Sequence, residues 1–138
     1  MPQVHINYLA VLVAAVVAFV LGGLWYSPIL FAKAWVKAHG YTEERVSEMQ
    51  ASAVKAYTVS FLCQFLIALG LAVLIGYLHL ERCVQGLKLA VLIWGGFAFP
   101  LGLMANMFSD KKITVFWIDT GYQLVYLLIM GSILTVWR

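Results

Sequence analysis

The sequence predicts an all-α integral membrane protein with four transmembrane helices. Four apolar stretches cover residues 6–26, 57–78, 87–107 and 113–136, and the segments between them carry most of the charge. Each stretch meets the ~20 residues that a helix needs to cross a ~30 Å hydrocarbon core. The composition agrees, because 64% of residues are hydrophobic, 11% are charged and the mean hydropathy is +0.93. We therefore expect a single four-helix domain over residues 1–138.

Helices are predicted rather than barrel strands because a backbone in lipid must satisfy its own hydrogen bonds. The four stretches are about twice as long as a barrel strand of ~10 residues, and they lack polar alternation. The first stretch is expected to be retained rather than cleaved as a signal peptide. No Lys or Arg precedes Lys33, and the apolar run is longer than the about 7–15 residues of a signal-peptide core.

The segment after the first helix is predicted to contain an interfacial helix over residues 28–39. Ser27 is a favoured N-cap, Pro28 suits the first helical position and Gly40 suits the stop. The aromatic and basic residues fall on separate faces, as expected of a helix that lies among lipid headgroups. We interpret the aromatic side chains around this turn as an interfacial anchor: Trp25, Tyr26, Phe31 and Trp35.

The second helix is predicted to extend beyond the membrane. Thr42 is a suitable cap, and Glu43 and Glu44 follow in the first turn, where the helix dipole favours acids. No proline occurs from this cap to residue 78, so we expect one unbroken helix that protrudes as a stalk and enters the membrane near Tyr57. In the third helix, Pro100 removes a backbone donor and predicts a kink.

The orientation follows from the positive charges that flank the helices. The loops after the first and third helices carry six Lys and Arg, and the opposite side carries three. Lys and Arg favour the cytoplasmic side. Both termini are therefore predicted to lie outside, in the inner (plasma) membrane of a bacterium. The six residues are Lys33, Lys37, Arg45, Lys55, Lys111 and Lys112, and the three are Arg82, Lys88 and Arg138.

Several chemistries lack support in the sequence. The basic residues, which give a formal net charge of +3, flank helices instead of forming a stripe with aromatics, so no nucleic-acid partner is expected. No phosphate loop, nucleophile triad or Cys/His cluster is present, so we predict no enzyme, cofactor or metal. His5, His39 and His79 lie at separate helix ends and are expected to be interfacial. Cys63 is expected to be a buried free thiol, whereas Cys83 is either free or paired between subunits.

A polar pocket is predicted in the cytoplasmic half of the membrane. Asp119 lies six positions into the fourth helix, about 9 Å below its end, and an intramembrane carboxylate must face protein or water. Helical spacing and the antiparallel order of the helices bring other polar groups to the same depth. The predicted pocket consists of Ser60, Gln64, Asn106, Asp119, Tyr122, Gln123 and Tyr126.

Small residues predict close helix packing. They recur every four residues in the first helix and again in the second, and such faces let backbones approach closely. We name the first series the alanine seam: Ala10, Ala14, Ala18 and Gly22. The second series is Ala68, Ala72 and Gly76. Packing within the subunit is the first expectation, and because four helices cannot cover every such face, a homo-oligomer is also predicted.

Several residues spread along the four predicted helices and the first loop also indicate a resemblance to a known family. Asn7 opens the first helix, Trp25-Tyr26-Ser27-Pro28 closes it, and Phe31, Trp35, Pro100, Asn106, Asp119 and Gly121-Tyr122 follow. The chain resembles, over nearly its full length, the bacterial and fungal membrane family called domain of unknown function 1761. The resemblance implies a compact four-helix membrane fold. It supplies no catalytic residues, because the family has no established activity.

The sequence therefore predicts a non-enzymatic, multi-pass membrane protein whose pocket around Asp119 serves a small solute, a proton or an ion, a transport-like role. The competing interpretation of the polar residues is hydrogen bonding between helices, which contributes about 0.6–2 kcal/mol per contact. Two other functions stay open. One is a structural or accessory subunit of a larger membrane complex, bound through the small-residue faces, and the other is a membrane-embedded enzyme.

Overall fold

The computed structural model describes residues 4–137, and every regular element in that range is helical. The elements are α1 (Tyr8–Trp25), α2 (Ala32–His39), α3 (Glu43–Ala51), α4 (Ala53–Tyr77), α5 (Cys83–Ile93), a π-helical segment (Trp94–Ala98), α6 (Phe99–Phe108) and α7 (Ile113–Val136). Within this range, four stretches are long and apolar enough to cross a membrane: α1, α4, α5 through α6, and α7. The predicted fold class is confirmed. Arg138, one of the charges used for the orientation, lies outside the described residues.

The fourth span, α7, is the central helix of the domain. It packs against α1, α4, α5, α6 and the short α2, whereas α1 and α4 also pair closely with each other. The third span is peripheral, since it contacts chiefly α7. Polar residues carried by α7 are therefore brought close to the turn after α1, to α4 and to α6. This arrangement positions the site described below.

The alanine seam lies inside the subunit. Ala10, Ala14 and Ala18 are 0% exposed, and they stand where α1 packs against α4 and α7. A Cβ at Gly22 would lie 2.7 Å from the hydroxyl of Tyr122, so this glycine makes room for a tyrosine of α7. In the second series Ala68 is also fully buried.

A second close approach, between α5 and α7, was not among the predicted seams. At Gly86 a Cβ would collide with the backbone carbonyl oxygen of Gly131, and at Gly131 it would lie 2.6 Å from the carbonyl oxygen of Gly86. The two helix backbones therefore touch at this pair. Gly86 and Ala90, four residues apart on α5, both lie against Gly131, so the four-residue spacing of small residues is present here too, although it was noted only in the first two helices.

The prediction for the start of the interfacial helix was wrong by four residues. Residues 28–31 form a turn, and α2 begins at Ala32. The Ser27 hydroxyl donates back to the carbonyl oxygen of Leu24 at 2.6 Å, so it closes α1 instead of capping a new helix. The predicted stop is confirmed, because Gly40 takes the left-handed conformation (φ 72°) that suits a glycine at this position.

The prediction of an unbroken second helix was also wrong. Thr42 caps α3 as predicted, accepting a hydrogen bond from the Arg45 amide, but the helix ends at Ala51 and α4 starts at Ala53. The Ser52 hydroxyl donates to the carbonyl oxygens of Glu48 and Met49, both at 3.3 Å. Such back-bonding competes with the regular helix and explains the break.

The third span begins at Cys83 rather than at residue 87. Its first turn is capped by the side-chain oxygen of Gln85, which accepts hydrogen bonds from the Glu81 and Arg82 amides. Where a kink was predicted at Pro100, the structure has a π-helical segment just before the proline. In it, the Phe99 amide donates to the Trp94 carbonyl oxygen. Wider turns of this kind absorb a disturbed hydrogen-bond ladder.

The expectation that Cys63 is buried was wrong. Both cysteines are free, and Cys63 is exposed whereas Cys83 is half-buried. From Val54 to Cys63 every residue is exposed except Phe61, which is half-buried. The first half of α4 therefore presents most of its surface outward, and helix periodicity alone did not reveal this.

Candidate functional site

Asp119 lies on α7 and is held by two aromatic side chains. The Tyr26 hydroxyl donates to Asp119 Oδ1 at 2.6 Å, and the Trp35 indole N–H donates to the same oxygen at 3.2 Å. Tyr26 comes directly after α1, and Trp35 comes from α2, which folds back against α7. Residues predicted to be interfacial anchors thus supply the hydrogen-bond partners that the intramembrane carboxylate requires.

No ion pair neutralises this carboxylate within residues 4–137. The ion pair formed there joins Arg45 to Glu48 on the exposed surface of α3, and the second carboxylate oxygen of Asp119 accepts no hydrogen bond from the described residues. Burial, reinforced by the hydrogen bond to Asp119, raises the pKa of Tyr26. This tyrosine therefore keeps its proton and acts as a donor. Within the described residues, the hydrogen-bond donors of Asp119 are therefore both neutral, and both contact the same oxygen.

The other aromatic residues of this turn hold it against α7. The Trp25 indole N–H donates to the backbone carbonyl oxygen of Ile118 at 3.0 Å, one residue before Asp119. Its ring packs against Phe31 at a tilt of 38°, with centroids 4.8 Å apart, and lies 3.3 Å from where a Cβ at Gly121 would stand. The Trp-Tyr-Ser-Pro element therefore fixes the turn that delivers Tyr26 to the carboxylate.

A cleft of about 180 Å³ opens between α6 and α7 beside Asp119. Its apolar walls come from both helices, and its polar lining includes one acidic and one basic side chain. The polar residues are Asn106, Ser109, Lys111, Asp119, Thr120 and Gln123, and the apolar residues are Gly102, Ala105, Val115 and Phe116. Three of the predicted pocket residues therefore meet at one cavity: Asn106, Asp119 and Gln123.

Two amide oxygens in this cleft are buried without a hydrogen-bond partner. Asn106 is only 6% exposed; its side-chain NH₂ donates to the Lys112 carbonyl oxygen at 3.3 Å, and its Oδ1 is unpaired. The Oε1 of Gln123 is likewise buried and unpaired. A buried acceptor without a partner costs about 1–3 kcal/mol. Both amides would therefore gain from a hydrogen-bond donor, as would Gln64 Oε1, which is buried and unpaired outside the cleft lining.

Other predicted pocket residues are used to join helices instead. The Gln64 side-chain NH₂ donates to the Tyr122 hydroxyl at 2.9 Å, and that hydroxyl donates to the Ala18 carbonyl oxygen at 2.7 Å. This chain links α4, α7 and α1. Tyr126 is buried in the core, with its ring centroid 4.8 Å from that of Tyr122. These residues are the interhelical hydrogen bonding and packing that the competing interpretation described.

The assignment of Ser60 to the pocket was wrong. Ser60 is exposed and does not line the cleft. Ser60 lies one helical turn before Gln64 on α4. Gln64 is buried and bonds to Tyr122, whereas α4 is still exposed at Ser60. The sequence also missed Lys111 and Ser109, whose neighbourhood to Asp119 depends on how α6 turns into α7.

His39 lies beside the site, in a group of stacked rings. Its ring centroid is 4.1 Å from that of Trp35 and 4.7 Å from that of Tyr41, and its Nε2 is buried without a partner. Burial lowers the pKa of His39, the nearby positive charge of Lys111 lowers it further, and Asp119 opposes both. His39 is therefore neutral at pH 7. The expected interfacial histidine thus packs against the Trp35 ring that holds Asp119.

Residues 9–135 match the family described as "Protein of unknown function (DUF1761)". The chain belongs to this family. The match includes all the residues that form the Asp119 site, from the turn after α1 to the middle of α7. No curated protein and no solved structure matches this DUF1761 protein.

The arrangement in this DUF1761 protein separates two kinds of polar residue. Gln64 and Tyr122 join helices through hydrogen bonds, although Gln64 Oε1 is itself buried without a partner, whereas Asp119, Asn106 and Gln123 line the cleft between α6 and α7. Such a cleft is chemically suited to a ligand that donates hydrogen bonds and carries positive charge. Within residues 4–137, no group of three His, Cys, Asp or Glu is placed to hold a metal ion.

Proposed function

We propose that this protein is a non-enzymatic membrane protein that binds a small polar solute in the cleft between α6 and α7, with Asp119 as its main binding group. The observation that carries the proposal is a carboxylate that has no ion-pair partner within residues 4–137 and lines one cleft together with two residues whose buried amide oxygens have no hydrogen-bond partner. A ligand that brings positively charged N–H groups satisfies all three. Charge-assisted hydrogen bonds of this kind are roughly twice as strong as neutral ones.

The proposal favours a solute over hydrogen bonding between helices as the purpose of Asp119. If the carboxylate served packing alone, its partners would be expected to include other spans, as those of Gln64 do. Among the described residues, its donors instead come from the turn after α1 and from α2, Asn106 donates to the Lys112 carbonyl oxygen just before α7, and the Gln123 side chain makes no hydrogen bond. Retaining a charge in a spanning helix costs about 2.5–3.5 kcal/mol on insertion scales.

Ligand binding is testable with ethanolamine, a small primary ammonium compound. In a maltoside detergent, we expect ethanolamine to raise the melting temperature of the wild-type protein, and Asp119→Asn to weaken its affinity at least about tenfold, as loss of a charge-assisted hydrogen bond implies. The asparagine keeps an acceptor for Tyr26 and Trp35, so folding should persist. Asp110→Asn, in the exposed turn before α7, is the matched control. Equal affinity in both variants would contradict the proposal.

The orientation is a separate proposal, supported by the charge imbalance between the two ends. We expect the loops that carry Lys37 and Lys111 to face the cytoplasm and both termini to face outside. Single cysteines replacing Lys37 and Arg82, in a Cys63→Ala, Cys83→Ala background, distinguish the two sides. In intact cells a membrane-impermeant thiol reagent should label Arg82→Cys only. Labelling of Lys37→Cys alone would reverse the assignment.

Self-association and binding to a larger complex are also proposals. Because the alanine seam is buried within the subunit, a homo-oligomer would have to use another face. The mass of the detergent-solubilised protein, corrected for bound detergent, tests self-association. Purification with a stoichiometric second protein would favour the accessory-subunit alternative.

A further inference from the structure

The cleft contains two opposite charges, and the proposed function uses only one of them. Lys111 lines the same cavity as Asp119, and it forms no ion pair within residues 4–137. The Ser109 hydroxyl, also in the lining, makes no hydrogen bond among the described residues. One part of the cleft therefore offers acceptor oxygens, and the other offers an ammonium group and a hydroxyl.

The backbone around Lys111 adds to the positive character of this part. The last carbonyl oxygens of α6 are already paired, since they accept hydrogen bonds from the amides of Ser109, Asp110 and Lys111. The N-terminus of α7 has no side-chain cap and no acidic residue in its first turn. The positive end of its helix dipole therefore acts beside Lys111, and the acidic residue nearest to it in sequence is Asp110, in the exposed turn before α7.

The ligand must satisfy both parts at once. Of the two charges that line the cleft, a simple cation leaves Lys111 uncompensated, a simple anion leaves Asp119 uncompensated, and a neutral solute leaves both uncompensated. The cavity of about 180 Å³ is smaller than the ~300–1,000 Å³ of pockets for drug-sized ligands. A compact molecule that carries an ammonium group close to an anionic group meets these conditions.

We propose that the cleft binds a small zwitterion, with its ammonium group at Asp119, Asn106 and Gln123 and its anionic group at Lys111 and Ser109. This inference rests on the proposed function, because it takes Asp119 as the site of the positive group. An ammonium has three N–H donors, which match the carboxylate and the two unpaired amide oxygens. The same chemistry occurs in water-soluble amino acids or amino phosphates and in the headgroup of phosphatidylethanolamine.

Three probes and two lysine variants test the inference in maltoside detergent, whose headgroup is uncharged. The probes are phosphoethanolamine, ethanolamine and inorganic phosphate, and the variants are Lys111→Gln and Lys112→Gln. We expect phosphoethanolamine to bind at least about tenfold more tightly than either single-charge probe. Lys111→Gln should weaken phosphoethanolamine about tenfold without weakening ethanolamine. Lys112→Gln, whose side chain does not line the cleft, should change neither affinity.

The outcomes separate this inference from the proposed function. If ethanolamine binds in an Asp119-dependent manner but Lys111→Gln leaves the affinity for phosphoethanolamine unchanged, the zwitterion is excluded and the proposed function stands. If neither amine binds in an Asp119-dependent manner, both fail.

The source of the zwitterion is distinguished in nanodiscs of phosphatidylcholine with and without phosphatidylethanolamine. Competition by the lipid headgroup would weaken phosphoethanolamine about tenfold in discs that contain phosphatidylethanolamine, which supports a lipid ligand. Equal affinity in both discs supports a soluble one. Either result is compatible with a zwitterion site, and the Lys111→Gln result above decides whether that site exists.

Discussion

Gly86→Leu is expected to destabilise the fold by about 3 kcal/mol or more, at the upper end of penalties for overpacking. Any side chain at Gly86 meets the backbone carbonyl oxygen of Gly131 and the side chain of Thr135. Backbone cannot rotate away as a flexible side chain can, so α5 must separate from α7. This contact belongs to the α5–α7 interface, which is the main attachment of the third span within the subunit.

Gly70→Leu is the matched control for this prediction. Gly70 also lies within a span, but nothing stands within 4 Å of the position that its Cβ would take. A leucine there faces outward and should leave stability almost unchanged. Unfolding is measured by circular dichroism in mixed micelles with increasing denaturing detergent. Equal midpoints for Gly86→Leu and Gly70→Leu would show that the two backbones do not touch.

Asp119→Leu is expected to lower stability by about 2 kcal/mol, whereas Asp119→Asn should stay close to wild type. Leucine leaves the Tyr26 hydroxyl and the Trp35 indole N–H without their shared acceptor, and an unsatisfied buried donor costs about 1–3 kcal/mol. Leucine is also more favourable than aspartate in an apolar surrounding. This gain in free energy is similar in the folded and unfolded states, so it contributes little to the change in stability.

A double-mutant comparison isolates the Tyr26 contribution. In the Asp119→Leu background, Tyr26→Phe removes the orphaned hydroxyl and should restore about 1 kcal/mol, although the same change should destabilise the wild-type protein. The measurement is the unfolding midpoint of all four proteins under one condition. Additive effects of the two substitutions would mean that Tyr26 and Asp119 do not interact.

The spans could be predicted from sequence because lipid imposes their length, and α7 in particular begins and ends at the predicted residues, Ile113 and Val136. Breaks inside helices were harder to predict. Ser52 interrupts the second helix through its own hydroxyl, although no proline or glycine lies between Thr42 and Leu69. Composition shows where a helix can form, but not whether a serine will bond backward.

The site was predictable in its centre and not in its boundary. A lone carboxylate in a span identifies Asp119, and helical spacing identifies Gln123. The same spacing wrongly included Ser60. Periodicity shows which residues share a face of a helix, but it does not show where along the helix that face stops being covered by neighbouring helices. Tyr26 and Trp35 were assigned as anchors and not as partners of Asp119, because their bonds to it join residues 93 and 84 positions apart.

The most direct test of the central claim, that the Asp119 cleft is a ligand site, is protection of a cysteine placed inside it. In the Cys63→Ala, Cys83→Ala background, Gln123→Cys lies in the cleft lining and Ser60→Cys lies outside it. The rate of reaction with a water-soluble maleimide is measured with and without ethanolamine. We expect ethanolamine to slow labelling of Gln123→Cys severalfold, to leave Ser60→Cys unchanged, and to give no protection when Asp119→Asn is added. A Gln123→Cys labelling rate that ethanolamine does not change would contradict the claim.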